Sequence, residues 1–485
     1  MESRRKAPRI LLSGGRLVDP EERALRAGDL WLEGGRVVAE TPRDPQPEWT
    51  PGSYLEIALA GRWVLPGFVQ AHLHLCQTLL RGWAEGRTLY RWLAEVIWPG
   101  EAAHDAATMT VAAELGIRQL LSGGTTAILD MGTTRHTESI AEVAARLGLR
   151  ATLGPALMDR GPDAARGLLL SPTESLARFE AFAAAWDGHD AGRIRAALCP
   201  RFVPSVSEPL WRELTSRPDL ARFPIHTHGA ETEEEVAEVR SLTGRSPIGY
   251  LASLPGVSGR LCLAHAVWLD DDDRRALNDS GLAVCHCPSS NLKLGSGLAD
   301  LRALRDAGVT VGLGADGAPC NNRLDPWQEM RQAAFVATAR RGPESIDPWE
   351  ILALATAGGA DALGQGEEIG RLRPGYQADF CLLDPERDPA TSGTDLEPSE
   401  DGNRLPANRL RAMNENQSEV GARFREDPAA LLVFAGSPAL VVETWVAGRQ
   451  VYRADAPLDP DLGDRVRAAR GHLRSRLHPR KGNEP

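Results

Sequence analysis

Lysine is scarce in this sequence, and basic charge as a whole is outweighed by acidic charge. The 485 residues include only three lysines, and 55 basic residues face 66 acidic ones, for a formal net charge of −11. This excess of acid argues against nucleic-acid binding, which normally requires a basic face. No apolar run approaches the roughly 18 residues that a membrane-spanning helix needs. The sequence therefore predicts neither a nucleic-acid partner nor a membrane partner.

Cysteine is also sparse, and the amino-terminal residues carry no secretion signal. Seven cysteines, an odd number, are scattered over the chain, which is not the pattern of a disulfide framework. Residues 1–6 lead into strand-like sequence without an apolar signal core. We therefore expect a soluble, cytoplasmic protein.

The alternation of strand-like and helical segments predicts the fold. Short strand-like runs at residues 8–62 are broken by Gly-Gly and Asp-Pro turns, which is typical of a small sheet. Between residues 64 and 316, eight strand-like runs alternate with helical sequence, which predicts an α/β fold of the (β/α)₈ TIM barrel type. A doubly wound parallel sheet is the alternative, although it does not need eight units. Strand-like runs return after residue 378, and we expect them to join the first sheet in a small β-sandwich built from both chain ends.

These changes of pattern also predict the domain boundaries. We assign residues 1–65 to the amino-terminal part of the sandwich and residues 66–365 to the barrel. Residues 366–460 form the carboxy-terminal part of the sandwich, and residues 461–485 a terminal helix and tail. Residues 386–427 are rich in Asp, Glu, Pro, Asn and Arg with weak periodicity, which predicts an exposed insertion.

Two histidines at the end of an apolar run, His72 and His74, first suggest a function. In a strand, positions i and i+2 lie on one face, so both imidazoles can reach a single metal ion. For any one histidine, an ordinary buried or solvated residue is an equally good interpretation. However, further residues of metal-ligand type end later strand-like runs: His226, His228, His265, His286 and Asp316. Since the carboxyl ends of barrel strands share one mouth, these residues are predicted to converge on a metal site, except that His226, on the same strand as His228, is expected to face away from it.

The scarcity of lysine bears on the number of metal ions. Barrel hydrolases with two metal ions often bridge them with a carboxylated lysine on the fourth strand. No lysine lies between Lys6 and Lys293, so this bridge cannot form and the sequence favours one metal ion.

Five stretches resemble, in order, the motifs of the amidohydrolase superfamily, and within it the mononuclear-zinc aminohydrolases. The resemblance covers nearly the whole chain and departs from the family mainly at the predicted insertion. The similar subfamilies are methylthioadenosine/S-adenosylhomocysteine deaminase, 5′-deoxyadenosine deaminase, guanine deaminase and the triazine hydrolases of the N-ethylammeline chlorohydrolase type. The matching stretches are residues 66–74, 228–231, 263–265, 286–297 and 314–322.

The resemblance implies a metal centre and a reaction. One divalent metal ion is expected, zinc in the first place and Fe²⁺ as the alternative, with one coordination position left for water. Glu231 is implied as the general acid and base, with His265 and Asp316 orienting the attacking water and assisting proton transfer. The implied reaction is hydrolytic removal of an amino group, as ammonia, from a purine base or an adenosine-type nucleoside. The implied metal ligands are His72, His74, His228 and Asp316.

Four further positions concern the substrate, and they favour different substrates. Glu101 matches the glutamate that holds ribose hydroxyls in the nucleoside deaminases. Arg201 and Phe202 match a Pro-Arg-Phe motif of guanine deaminase, in which the arginine contacts the purine, and Gln77 resembles another guanine-contacting position. An ordinary ion pair is the alternative interpretation of Arg201. The sequence thus predicts a small heterocyclic substrate without choosing between nucleoside and base.

Two other functions stay open at this point. A triazine-type chlorohydrolase would use the same metal-activated water with chloride as the leaving group. A non-catalytic assembly protein on the same fold is the alternative from another class, but such proteins lose metal ligands that this chain keeps. We also expect a homo-oligomer.

Overall fold

The computed structural model describes residues 8–393, 427–457 and 459–477. Most of the predicted insertion at 386–427, and the last residues of the predicted tail at 461–485, lie outside the described residues. Within the described ranges, no helix is both long enough and apolar enough to cross a bilayer.

The first strands form a meander that opens the outer sheet. The β1–β2 and β2–β3 pairs are antiparallel, while β4 and β5 run parallel to β1. The turn from β2 to β3 uses Gly34 and Gly35, both with positive φ, as a tight hairpin turn requires. The strands are β1 (Arg9–Asp19), β2 (Ala24–Glu33), β3 (Arg36–Thr41), β4 (Leu55–Ala58) and β5 (Trp63–Pro66).

The next part of the chain forms a closed barrel of eight parallel strands, which confirms the predicted (β/α)₈ architecture. The ring closes where Leu313 pairs with Gln70 and where Leu198 pairs with Ile225. Three short strands extend it: β9 (Ala156–Leu157), β11 (Cys199–Pro200) and β16 (Asp316–Gly317). The ring strands are β6 (Phe68–His74), β7 (Thr125–Met131), β8 (Arg150–Gly154), β10 (Ile194–Ala196), β12 (Ile225–Gly229), β13 (Leu261–His265), β14 (Ala283–His286) and β15 (Val311–Leu313).

Helices connect the strands and cover the barrel from outside. Most begin at a polar capping residue, as at Asp105, whose carboxylate accepts a hydrogen bond from the N–H of Thr108. The principal helices are Leu89–Trp92, Trp98–Ala102, Ala106–Ser122, Thr137–Leu147, Pro172–Trp186, Glu208–Ser216, Glu233–Thr243, Pro247–Ala252, Asp271–Asp279, Pro288–Leu294, Leu301–Asp306, Ala318–Asn321, Pro326–Arg341, Pro348–Ala353, Gly359–Ala362, Pro428–Ala430 and Leu462–Leu477.

The chain returns to the outer sheet after the barrel. The added strands are β17 (Phe380–Leu383), β18 (Val441–Val446) and β19 (Arg449–Arg453), and β17 pairs antiparallel with β5. Both chain ends therefore build one eight-stranded mixed sheet, as predicted. A buried ion pair ties this sheet to the barrel, because Arg150 Nε donates to Asp379 Oδ2 at 2.8 Å and its Nη2 to Oδ1 at 3.2 Å.

Candidate active site

Three imidazoles and one carboxylate converge at the carboxyl ends of the barrel strands. His72 and His74 come from β6, His228 from β12, and Asp316 from β16, which pairs with the end of β6. Asp316 Oδ1 lies 3.2 Å from His72 Nε2 and 3.5 Å from His74 Nε2. His74 Nε2 lies 3.0 Å from His228 Nε2. His72, His74 and His228 thus form one candidate set of metal ligands, and His72, His265 and Asp316 form a second set that shares His72.

The partners of these histidines fix where their protons lie. His74 Nδ1 donates to the carbonyl oxygen of Met131 at 2.9 Å, and His228 Nδ1 to that of Arg201 at 2.6 Å. Since a carbonyl oxygen only accepts, each Nδ1 carries the proton and each Nε2 of the neutral ring keeps its lone pair. Burial lowers the pKa of His74 to about 4 and the pKa of His228 well below its usual range, which keeps both rings neutral.

This proton arrangement fits a divalent metal ion. Two Nε2 lone pairs 3.0 Å apart repel each other unless a cation lies between them. In addition, His72 Nε2 is buried and makes no hydrogen bond, although a carboxylate oxygen lies close by. Buried polar atoms normally have partners, so this orphaned nitrogen also points to a bound cation. Imidazole and carboxylate ligands are those that zinc prefers, and a catalytic zinc keeps a position for water.

Asp316 is held in an unusual backbone conformation. Its φ of 59° lies in the left-handed region, which costs about 1–3 kcal/mol for a residue with a side chain. The Ser290 hydroxyl donates to Oδ2 at 2.6 Å, and the Gly317 N–H donates to Oδ1 at 2.7 Å. These two hydrogen bonds hold the carboxylate toward the imidazoles. The strained backbone conformation of Asp316 therefore helps to place its side chain in the site.

Glu231 and His265, the residues predicted to handle protons, lie side by side next to the candidate ligands. The Ser296 hydroxyl donates to Glu231 Oε1 at 3.0 Å, and His265 Nε2 lies 3.5 Å from Oε2. Burial raises the pKa of Glu231. For His265, burial lowers the pKa, but the charges of Glu231 and Asp316 outweigh that effect and raise it. A carboxyl group with a raised pKa is suited to taking up and releasing a proton near neutrality.

Three of the four predicted substrate residues, Gln77, Glu101 and Arg201, form one buried hydrogen-bonded network. Arg201 Nη1 donates to Glu101 Oε2 at 2.7 Å, Arg201 Nη2 to Oε1 at 3.0 Å, and Gln77 Nε2 to the same Oε1 at 2.9 Å. Gln77, Arg201 and Phe202 line the pocket, and Glu101 lies behind them. Glu101 does not itself line the pocket, and its contact with ribose hydroxyls stays a prediction. The alternative of an ion pair at Arg201 is present in the structure.

The pocket above the candidate ligands is small and adjoins a larger cavity. It has a volume of about 30 Å³ and is walled on one side by Leu89, Trp92 and Leu93. Phe202 separates it from a cavity of about 750 Å³ lined by Tyr90, Trp98, Arg160, Glu234 and Glu238. Leu89, Trp92 and Leu93 therefore restrict the space above the candidate ligands.

The family model of the amidohydrolase family matches residues 63–451. This chain belongs to the amidohydrolase family. A 5-methylthioadenosine/S-adenosylhomocysteine deaminase from Haloarcula marismortui is 36% identical over 391 residues, which is 80% of this chain and 87% of the relative.

Two solved structures also resemble this amidohydrolase over nearly its whole length. An adenosine deaminase from Xanthomonas campestris with bound zinc is 28% identical, with a TM-score of 0.78 and coverage of 97% of this chain and 98% of that chain. The E. coli guanine deaminase is 26% identical, with a TM-score of 0.75 and coverage of 93% and 99%.

Two residues that support this amidohydrolase site, Glu235 and Asn291, were not predicted from the sequence. Glu235 accepts from the N–H groups of Ala230 at 3.2 Å and Glu231 at 2.7 Å, which fixes the backbone at Glu231. Asn291 Oδ1 accepts from His265 Nδ1 at 2.9 Å and thereby orients that ring. Asn291 lies inside the stretch 286–297 that resembles the family, which is the one sequence feature that marks it.

The expectation that His226 faces away from the site is wrong. Its imidazole is fully buried inside the amidohydrolase barrel, and its Nε2 lies 2.8 Å from His72 Nδ1. His286, in contrast, is buried without a hydrogen-bond partner on either ring nitrogen.

Proposed function

We propose that this amidohydrolase is a mononuclear metal-dependent aminohydrolase that releases ammonia from a purine ring, with adenosine-type nucleosides as the preferred substrates. The observation that carries the proposal is the convergence of three imidazole nitrogens and Asp316 next to Glu231. The deaminase relatives agree with this reaction.

His72, His74, His228 and Asp316 would hold the metal ion. We favour zinc, since the donor set suits it and the Xanthomonas campestris adenosine deaminase carries it. When bound, the metal ion supplies Lewis acidity, which lowers the pKa of water from 15.7 to about 7. All proton transfers then fall to the side chains of the chain itself.

Glu231 is proposed as the group that moves the protons. It takes a proton from the attacking water and gives it to the ring nitrogen beside the amino-bearing carbon, and its raised pKa suits both steps. His265, held by Asn291 and close to Glu231, orients the water and assists the departing ammonia. Asp316, held by Ser290, acts as a ligand and as a second acceptor for that water.

Gln77 is proposed to contact the ring directly. The carboxylate of Glu101 only accepts hydrogen bonds, so the amide of Gln77 must turn its NH₂ group toward it. The amide oxygen then faces the other way, and it is buried without a partner. This oxygen is a ready acceptor for an N–H group of the substrate ring, whether the ring belongs to a nucleoside or to a free base.

The side cavity favours nucleosides over free bases. A cavity of about 750 Å³ beyond Phe202 would stay empty with a bare purine, but it offers room for a sugar and its 5′ substituent. Arg160, Glu234 and Glu238 supply charges of both signs along its walls. The 5-methylthioadenosine/S-adenosylhomocysteine deaminase relatives are consistent with this preference.

An ammonia-release assay across four substrate groups tests the proposal. We expect turnover of adenosine and its 5′-substituted derivatives at least tenfold above guanine, measured as kcat/KM, with pterins and triazines lower still. His74→Ala protein, purified in the same way, provides the background rate. Chloride release from a chlorotriazine without ammonia release from any purine would overturn the deaminase assignment and support the triazine alternative.

Metal stoichiometry provides a second prediction. The two candidate ligand sets share His72, and no lysine lies between Lys6 and Lys293, so the site should hold about one metal ion per chain. Elemental analysis of protein purified without chelators measures this directly. Two stoichiometric metal ions per chain would contradict the mononuclear site.

A further inference from the structure

His72 differs from the other two candidate histidine ligands in the partner of its Nδ1. His74 and His228 donate to backbone carbonyls, whereas His72 Nδ1 faces a side chain, His226 Nε2, at 2.8 Å. The other ring nitrogen of His226 lies 3.2 Å from the carbonyl oxygen of Cys262. Both imidazoles are completely buried. The three groups form a continuous hydrogen-bonded chain from β13 through β12 to β6.

The backbone carbonyl sets the proton positions along this chain. Cys262 O can only accept, so His226 Nδ1 carries a proton. In a neutral ring, His226 Nε2 is then an acceptor, and it takes its hydrogen bond from His72 Nδ1. The reverse arrangement would place the bare Nδ1 of His226 against the carbonyl lone pairs at 3.2 Å, which is repulsive. His72 is therefore left with a free lone pair on Nε2.

We propose that His226 is a positioning residue for the metal site, which holds His72 in the tautomer that presents Nε2 to the metal ion. The inference rests on the proposed metal centre and adds a residue to it. Loss of a hydrogen-bonding partner behind a metal-ligating histidine commonly costs 10–100-fold in metal affinity. Substitution of His226 should accordingly weaken metal binding, although His226 does not touch the metal ion itself.

Two variants separate hydrogen bonding from packing. In His226→Gln, the amide can accept from His72 Nδ1 and donate to Cys262 O, whereas His226→Phe keeps a ring of similar size without either bond. We expect the phenylalanine variant to bind Zn²⁺ about 10–100-fold more weakly, by competition with a chelator, and the glutamine variant to stay within about threefold of the unaltered protein. Both variants should unfold, without metal, at nearly the temperature of the unaltered metal-free protein.

The tautomer itself provides an independent readout. With histidine labelled by ¹⁵N in metal-free protein, His72 Nε2 should resonate as an unprotonated nitrogen in the unaltered protein and in His226→Gln. In His226→Phe this resonance should move toward the protonated position. Equal zinc affinity in all three proteins would overturn the proposal, and so would equal weakening in both variants. A protein that binds one zinc ion with the expected pattern but deaminates no purine would instead refute the proposed function alone.

Discussion

Glu231→Gln should leave the metal ion in place and lower kcat by about 10²-fold or more, the scale of general acid and base catalysis. Glutamine has the same shape and can still accept from the Ser296 hydroxyl, so the local packing should survive. However, an amide cannot take up a proton from water and return it to the ring nitrogen. Steady-state rates with adenosine derivatives, together with zinc content, measure both parts of the prediction.

His74→Ala is the contrasting variant. It removes a ligand atom rather than a proton carrier, so metal content and activity should be lost together. If Glu231→Gln deaminated at nearly the unaltered rate, Glu231 would have no place in the mechanism. If it lost its metal ion, Glu231 would instead belong to the metal site.

Breaking the buried pair of Glu101 and Arg201 should be strongly destabilising. Both side chains are almost wholly buried, and removal of one charge leaves the other unpaired in the protein interior. Such a loss costs about 3–5 kcal/mol, whereas removal of both charges is often far milder. We therefore expect Glu101→Gln and Arg201→Met each to lower the free energy of unfolding by that amount, and the double variant to lose much less than their sum. Urea unfolding at pH 7 measures all three.

A matched surface pair provides the control. Glu208 and Arg212 form an exposed ion pair of the same chemistry, and Glu208→Gln should change stability by no more than about 0.5 kcal/mol. Strictly additive losses in the Glu101 and Arg201 double variant would contradict the coupling.

The coupling also has a consequence for specificity, because each single variant should impair nucleosides and free bases alike. Selective loss of one substrate class would mean that the two residues contact the substrate separately.

The fold could be predicted because it depends on patterns among residues that are close in sequence. Strand alternation places His72 and His74 on one face, and the repeat of strand and helix brings strand ends to one mouth, so residues as distant as His228 and Asp316 are expected near them. The structure brings these four side chains together. The hydrophobic runs that return near Phe380 are also a pattern within a short stretch of sequence. The outer sheet shared by both chain ends could therefore be predicted as well.

Contacts between distant side chains could not be predicted in the same way. Glu101 and Arg201 are 100 positions apart, and nothing in either segment indicates that one neutralises the other. His72 and His226 are 154 positions apart, and their contact depends on the curvature of the barrel rather than on any periodicity. The alternation of side chains along β12 predicts the face of the strand on which His226 lies. It does not predict which side chain His226 contacts across the barrel interior.

The outer sheet can be completed only late in synthesis. Strand β5 precedes the barrel, yet its antiparallel partner β17 appears only after all eight barrel strands, when Leu383 meets Trp63. During translation, one edge of β5 therefore stays unpaired until β17 has been synthesised, and an unpaired edge can pair with another chain. Arg150 also reaches its partner Asp379 only at that late stage. The edge of β5 in the outer sheet thus stays open to mispairing until β17 has left the ribosome.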